Sequence, residues 1–225
     1  MKYFLIFVIV LSILSVNSVY GHKLISHDNS HTSIENALNI PDHKISWAIY
    51  DDLNANQAKF YSFDAQSGDL FYASIVIPKI NSLENYSPTL MLLTPSEYEN
   101  MSNQFTQQKF LYEGNFPSPE FYEPFGQVTY WERQEVNLVL PVSGTYVIVV
   151  IDEKNQSGKY SLAVGTIEDF SGGDIFLILP KAWVDTKLFV GDYVSLAISS
   201  MFIITLFVIL IVLVLRKKSN RKIQI

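Results

Sequence analysis

The sequence predicts an all-β fold: an antiparallel, jelly-roll-like β-sandwich ectodomain followed by one C-terminal transmembrane helix. Three observations predict it. Short runs of β-branched and aromatic residues, bounded by Gly, Pro, Asn and Asp, fill the middle of the chain with no helical stretch between them. An uncharged run of 22 residues, Val194–Leu215, stands near the end, with five basic residues close behind it. There is no cysteine, so an exported domain must stand on its core without disulfides.

In chain order, residues 1–21 read as a secretory signal peptide. Lys2 precedes an apolar run, Tyr3–Leu14, and small and polar residues follow. The run is short for a spanning anchor. Val19 and Gly21 suit cleavage before His22, and Val16 and Ser18 suit cleavage before Val19. Residues 22–44 form a histidine-containing segment, in which Thr32-Ser33-Ile34-Glu35 reads as a capping box opening a short helix through Leu38. Residues 45–166 form the sandwich. Strand runs are expected at Lys59–Phe63, Asp69–Ile77, Thr89–Leu93, Gln127–Trp131, Glu135–Leu140, Thr145–Ile151 and Lys159–Gly165. Asp69–Ile77 and Thr145–Ile151 are nearly continuous in apolar residues, which marks central strands. Residues 167–193 form a juxtamembrane interfacial segment, with Trp183, Phe189 and Tyr193 as belt residues or as a docking surface. Residues 194–215 span the membrane and 216–225 form a basic tail.

The runs Ile45–Leu53, Lys59–Ile75 and Val136–Gly165 together resemble the bacterial and archaeal pre-peptidase C-terminal domain. The resemblance rests on Tyr61-Ser62-Phe63 at a strand end, the Gly68-Asp69 turn, the hairpin from Pro141 to Gly144-Thr145-Tyr146, and Gly158-Lys159-Tyr160-Ser161-Leu162. It implies a jelly-roll-like accessory domain without catalytic machinery. No peptidase domain accompanies it in this chain. The stretch Tyr112–Gln134 is longer and more aromatic than the family pattern needs. Without the resemblance, Gly144 still reads as a positive-φ turn, and Tyr146 and Tyr160 as rings packing across a strand pair.

Charge sets the topology and narrows the partners. The positive-inside rule places Arg216–Lys222 in the cytoplasm and the N-terminal part outside, giving a single-pass cell-membrane protein. Between His22 and Tyr193 lie 22 acidic and ten basic residues, a net charge of −12. That excludes nucleic acid, whose phosphates require a basic face, and keeps the domain off anionic lipid.

The chain has no Gly-x-Ser-x-Gly elbow, phosphate loop or dinucleotide fingerprint. The binding candidates are Tyr122, Phe125, Tyr130 and Trp131, in an aromatic stretch that also holds Phe116, Phe121, Glu120, Glu123, Glu132 and Glu135. Aromatic platforms beside carboxylates suit sugar or peptide recognition, and core packing is the plainer account. The metal candidates are His22, His27, His31 and His43, all the histidines of the chain. If cleavage exposes His22, its α-amine and imidazole with one further imidazole offer Cu(II) three nitrogens; a polar leader without a site is the plainer account. Asp152–Asn155 reads as a calcium site or a solvated hairpin tip. Asn100 and Asn155 head glycosylation sequons, while Pro88 makes the one at Asn85 a poor acceptor. The functional expectation is a non-catalytic surface binding or scaffold module for another membrane or envelope protein or a surface glycan. The alternative is a copper-handling surface protein, and a hydrolase ranks last.

Overall fold

A computed structural model of the chain describes residues 22–95, 108–110, 118–169 and 175–222. The expected signal peptide, Phe116 and the Asn100 acceptor lie outside them. The chain divides into two compact units, Met1–Leu179 and Pro180–Ile225.

The first unit is a two-sheet β-sandwich. Its strands are β1 (Lys23–Leu24), β2 (Leu38–Asn39), β3 (Trp47–Leu53), β4 (Ala58–Ala65), β5 (Leu70–Pro78), β6 (Thr89–Leu93), β7 (Gln108–Phe110), β8 (Glu120–Glu123), β9 (Val128–Val139), β10 (Gly144–Ile151) and β11 (Gly158–Val164). One sheet has the order β1-β3-β11-β5-β9-β8 and the other β2-β4-β10-β6-β7. The long strands pair antiparallel, while β1 and β2 add to β3 and β4 in parallel. The period of two decides which side chains enter the core. Along β4, Tyr61, Phe63 and Ala65 are buried while Phe60, Ser62 and Asp64 are not. Ile49, Phe71, Ile75, Leu92, Tyr146, Ile148 and Leu162 meet them between the sheets.

Both nearly continuous apolar runs are central strands: β5 lies between β11 and β9, and β10 between β4 and β6. The unbroken pattern of β10 has a specific cause. Val147 and Val149 face away from the main core into a second cluster with Met91 and Leu93, which Ile34 and Phe60 cover.

Several local expectations are corrected. Gln127–Trp131 and Glu135–Leu140 belong to one strand, β9, because the polar residues between them form a bulge rather than a turn. Ile75 pairs with Gln134 and Val76 with Glu132, which leaves Arg133 as the extra residue. Arg133 is buried on the carbonyls of Tyr86 and Glu84 and the hydroxyl of Ser118, and Gln134 accepts from the Leu90 amide at 2.7 Å. The turns before β10 and β11 cross between sheets. Tyr146 and Tyr160 therefore enter the core from opposite sides, Tyr146 stacking on Phe63 at 5.5 Å and Tyr160 bonding to Tyr61. The turn at Gly144 does need its glycine: φ is 144°, and a Cβ there would stand 2.8 Å from Pro95. The expected helix through Leu38 is a single 3-10 turn, Ile34–Asn36, with Ser33 rather than Thr32 at its N-cap. So short a helix is marginal, and pairing of Leu38 and Asn39 with β4 takes its place.

The juxtamembrane segment contains a helix, α1 (Ile175–Val190), with Pro180 inside it. Gly191 ends it at φ 74°. Asp192 N–H reaches Lys187 O at 2.9 Å and Gly191 N–H reaches Leu188 O at 3.2 Å, a Schellman closure. Asp192 then caps the next helix, α2 (Tyr193–Lys222), by accepting from the Ser195 amide at 3.1 Å. The Ser195 hydroxyl first, and then the Lys187 ammonium, hold the Asp192 carboxyl down at about 2. Among the described residues α2 is the one helix long and apolar enough to cross a membrane, over Tyr193–Arg216.

Candidate functional site

The outer face of the six-stranded sheet carries a groove of about 120 Å³. Four aromatic rings wall it: Tyr50 from β3, Tyr72 from β5, Phe121 from β8 and Tyr130 from β9. The groove exists because alternation along these strands sends every second residue outward, and because β8 pairs back on β9 and raises Phe121 beside Tyr130. Its floor is made of small side chains, Ala48, Ser74, Ser161 and Ala163. The Tyr130 hydroxyl is hydrogen-bonded to Tyr50, and burial keeps it protonated far above the usual range. Burial also raises Tyr72, against a hydrogen bond from Ser74, with Glu135 and Glu132 adding to the rise.

The bulge at Arg133 decides where the acids go. With Arg133 and Gln134 turned inward, Glu132 and Glu135 both lie on the outer face. Burial first, and the Glu135 charge second, hold the Glu132 carboxyl above the usual range. Glu123 also lines the groove, but its carboxylate organises the next turn by accepting from the amides of Phe125 at 2.7 Å and Gly126 at 2.5 Å.

The four aromatic candidates separate in this frame. Tyr130 lines the groove and is 3% exposed. Trp131, its neighbour, points the other way into the main core at 5% exposure. Tyr122 is 57% exposed, and alternation turns it away from the groove that Phe121 and Glu123 line. Phe125 is half-buried in the turn after β8. Tyr50 and Tyr72 lie outside the aromatic-dense stretch of residues 116–131 that the sequence singles out. The outward alternation Ala48, Tyr50 and Tyr72, Ser74, Val76 was the available signal.

The histidines also separate. His27 and His31 come together, rings 4.7 Å apart and nearly perpendicular, beside the buried Asp51 of β3. His31 donates Nε2–H to Asp51 Oδ2 at 2.6 Å, and His27 Nε2 lies 3.8 Å from the same oxygen and 2.9 Å from the carbonyl of Tyr50. His27, His31 and Asp51 can each offer one ligand atom, all within 4.8 Å of one another. Asp51 has other partners as well. The Lys59 ammonium is 3.2 Å from Oδ1, and Tyr61 donates to Oδ2 at 2.8 Å. Tyr61 and Tyr160 share a hydrogen bond of 2.6 Å, and burial drives both hydroxyls well above their usual pKa. Burial would raise Asp51, but the bonds from His31 and Tyr61 outweigh it, so its carboxyl lies below the usual range.

His22 stands elsewhere, at the groove rim, with Nδ1 2.6 Å from Ser46 Oγ. Burial lowers its pKa. His43 lies on Phe63 at 5.0 Å, with Nε2 3.7 Å from Asp69; burial lowers it and Asp69 partly restores it. At the β10–β11 loop, Asp152 is buried and accepts from the amides of Asn56, Lys154, Gln156 and Ser157. Its oxygens organise a turn in which Asn155 is exposed at φ 55°, its Oδ1 accepting from Asn56.

No known family profile matches the chain, and no curated protein matches it. Among solved structures it is similar to the pre-peptidase C-terminal domain of a collagenase from Bacillus anthracis, at 17% identity over 56% of this chain and 91% of that one, with a TM-score of 0.37. It is also similar to PliG, a periplasmic inhibitor of g-type lysozyme. The Aeromonas hydrophila protein is 15% identical over 57% of this chain and 96% of that one, TM-score 0.36. The Salmonella Typhimurium protein is 16% identical over 57% and 98%, TM-score 0.33.

Proposed function

We propose that the protein is a non-catalytic binding module, held at the outer face of the cell membrane by α2, that recognises another envelope protein or a surface glycan through the groove on the six-stranded sheet. The aromatic groove itself carries the reading, because buried and half-buried rings on a rigid sheet give contact area at little entropic cost. Catalysis has less support. Ser46 does meet His22, but no carboxylate faces that imidazole among the described residues, and burial alone accounts for its lowered pKa. The five basic residues at the C-terminal end of α2, Arg216, Lys217, Lys218, Arg221 and Lys222, support an orientation with that end inside.

A photoreactive residue at position 121, in cells expressing the full chain, is expected to cross-link to a discrete partner. The same residue at position 122, on the opposite side of β8, is expected to give at least several-fold less. Equal cross-linking from both positions, or none from 121, overturns the groove as the recognition face.

One observation favours a second reading, copper handling: the convergence of His27, His31 and Asp51. This cluster differs from the expected site on the His22 imidazole and α-amine with one further imidazole: His22 meets Ser46, and His43 lies beside Asp69. Copper would also have to compete with Lys59 for Asp51. Titration of the chain with Cu(II), after its N-terminus is verified by mass spectrometry, is therefore expected to show nothing tighter than about micromolar binding. Tighter binding that His31→Ala abolishes and an added N-terminal Gly preserves would establish the copper reading at this cluster.

A further inference from the structure

We propose that the groove takes a cationic side chain, a lysine or arginine presented by a protein partner; this rests on the reading of the groove as the recognition face. Size is the first argument. Pockets for drug-sized ligands run to roughly 300–1,000 Å³, and this one holds about 120 Å³. That suits the end of one side chain, with the partner's backbone outside.

Wall chemistry is the second. Tyr50, Tyr72, Phe121 and Tyr130 surround the space. The hydroxyls of Tyr130 and Tyr72 are engaged with Tyr50 and Ser74, so the rings offer faces more than donors. Ring faces bind ammonium and guanidinium groups by cation–π attraction, most strongly where water is excluded.

The third is an acid that lacks its counter-charge. Glu132 lines the groove half-buried, and among the described residues its carboxylate has no hydrogen bond or ion pair. Burial, and then the like charge of Glu135, raise its carboxyl. Glu123 is occupied by its turn, and no lysine or arginine lines the groove. The chain does supply cations elsewhere on this face of its chemistry: Lys44 meets Asp69 at 2.7 Å and Lys79 meets Glu120 at 2.6 Å. Glu132 is left for a charge brought from outside, and the excess of acid on the exported part attracts it.

The test uses the full chain in detergent, with 4-fluorophenylalanine at position 121 as a fluorine NMR reporter. Three blocked pentapeptides, Gly-Gly-X-Gly-Gly with X as Arg, Lys or Gln, and free ethanolamine are titrated against it. The Arg and Lys peptides are expected to move the signal saturably, and the Gln peptide to bind at least about tenfold more weakly. Glu132→Gln is expected to lower Arg-peptide affinity about tenfold and leave the weak Gln-peptide response unchanged. Circular dichroism and the unfolding midpoint confirm that this variant is folded. Equal binding of Arg and Gln peptides, unchanged Arg binding by Glu132→Gln, or no response to any peptide overturns the cationic assignment. Ethanolamine binding more tightly than both cationic peptides overturns the choice of a protein partner in favour of a lipid headgroup. The recognition face itself stands or falls separately, on cross-linking from position 121.

Discussion

Asp51→Ala is expected to destabilise the sandwich by about 3–5 kcal/mol, the cost of leaving a buried charge without its partner. Asp51 and Lys59 are both buried, with Nζ and Oδ1 3.2 Å apart. Removing the carboxylate strands the ammonium between the sheets and leaves His31 and Tyr61 without an acceptor they now share. Chemical unfolding of the full chain in detergent measures the loss. The same carboxylate carries a pH signature. Its folded pKa lies below the ordinary value of 3.8. Its contribution is therefore complete above that value and is lost as pH falls through the folded pKa. Wild type is expected to lose stability below about pH 4 in a step that Asp51→Ala lacks. An Asp51→Ala protein as stable as wild type at neutral pH would show that Lys59 finds water or another anion.

Trp131→Ala is expected to cost about 3–5 kcal/mol, the range for truncating a large buried aromatic. Trp131 packs in the main core, and the Arg133 guanidinium stands 5.1 Å from its ring centroid. The variant thus opens a cavity beside a buried cation. Tyr122→Ala, nine residues earlier on the exposed side of β8, is expected to fall within about 0.5 kcal/mol of wild type. Unfolding midpoints of the two variants decide the matter. Equal losses would mean that the outward-facing ring has a structural role its exposure does not indicate.

The sandwich was legible because each strand carries its own boundary and its own alternation. Asp69–Ile77 and Thr145–Ile151 show their central position by lacking polar breaks, and Gly144 shows its turn. The pairing was not legible. Whether Pro141–Gly144 closes a hairpin or changes sheets depends on which long-range partner β10 finds, and neighbours in sequence carry no record of it. The Glu132-Arg133-Gln134 run misled for a related reason. Three polar residues in a row read as a loop, and only the carbonyls of Glu84 and Tyr86 explain why Arg133 is buried. The candidate site divides along the same line. Tyr130 and Glu132 stand inside the aromatic stretch that composition singles out. Tyr50 and Tyr72 are brought beside them by register alone, and Asp51, the centre of the histidine cluster, is one acid among 22 until β3 places it inside.

The short parallel strands at the N-terminus have a consequence for how the sheets end. Lys23 and Ile25 bond to β3, Ile40 bonds to β4, and the His31 carbonyl receives the Phe60 amide. One strap of chain thus finishes an edge of each sheet. Between its anchors it is exposed at Ser26 and at Asp28–Ser30, where a protease can reach it. A cut there would free β1 and bare the edge of β3, a row of amides and carbonyls of the kind on which strands of other molecules assemble. β1 thus covers an edge that β3 would otherwise present to other chains.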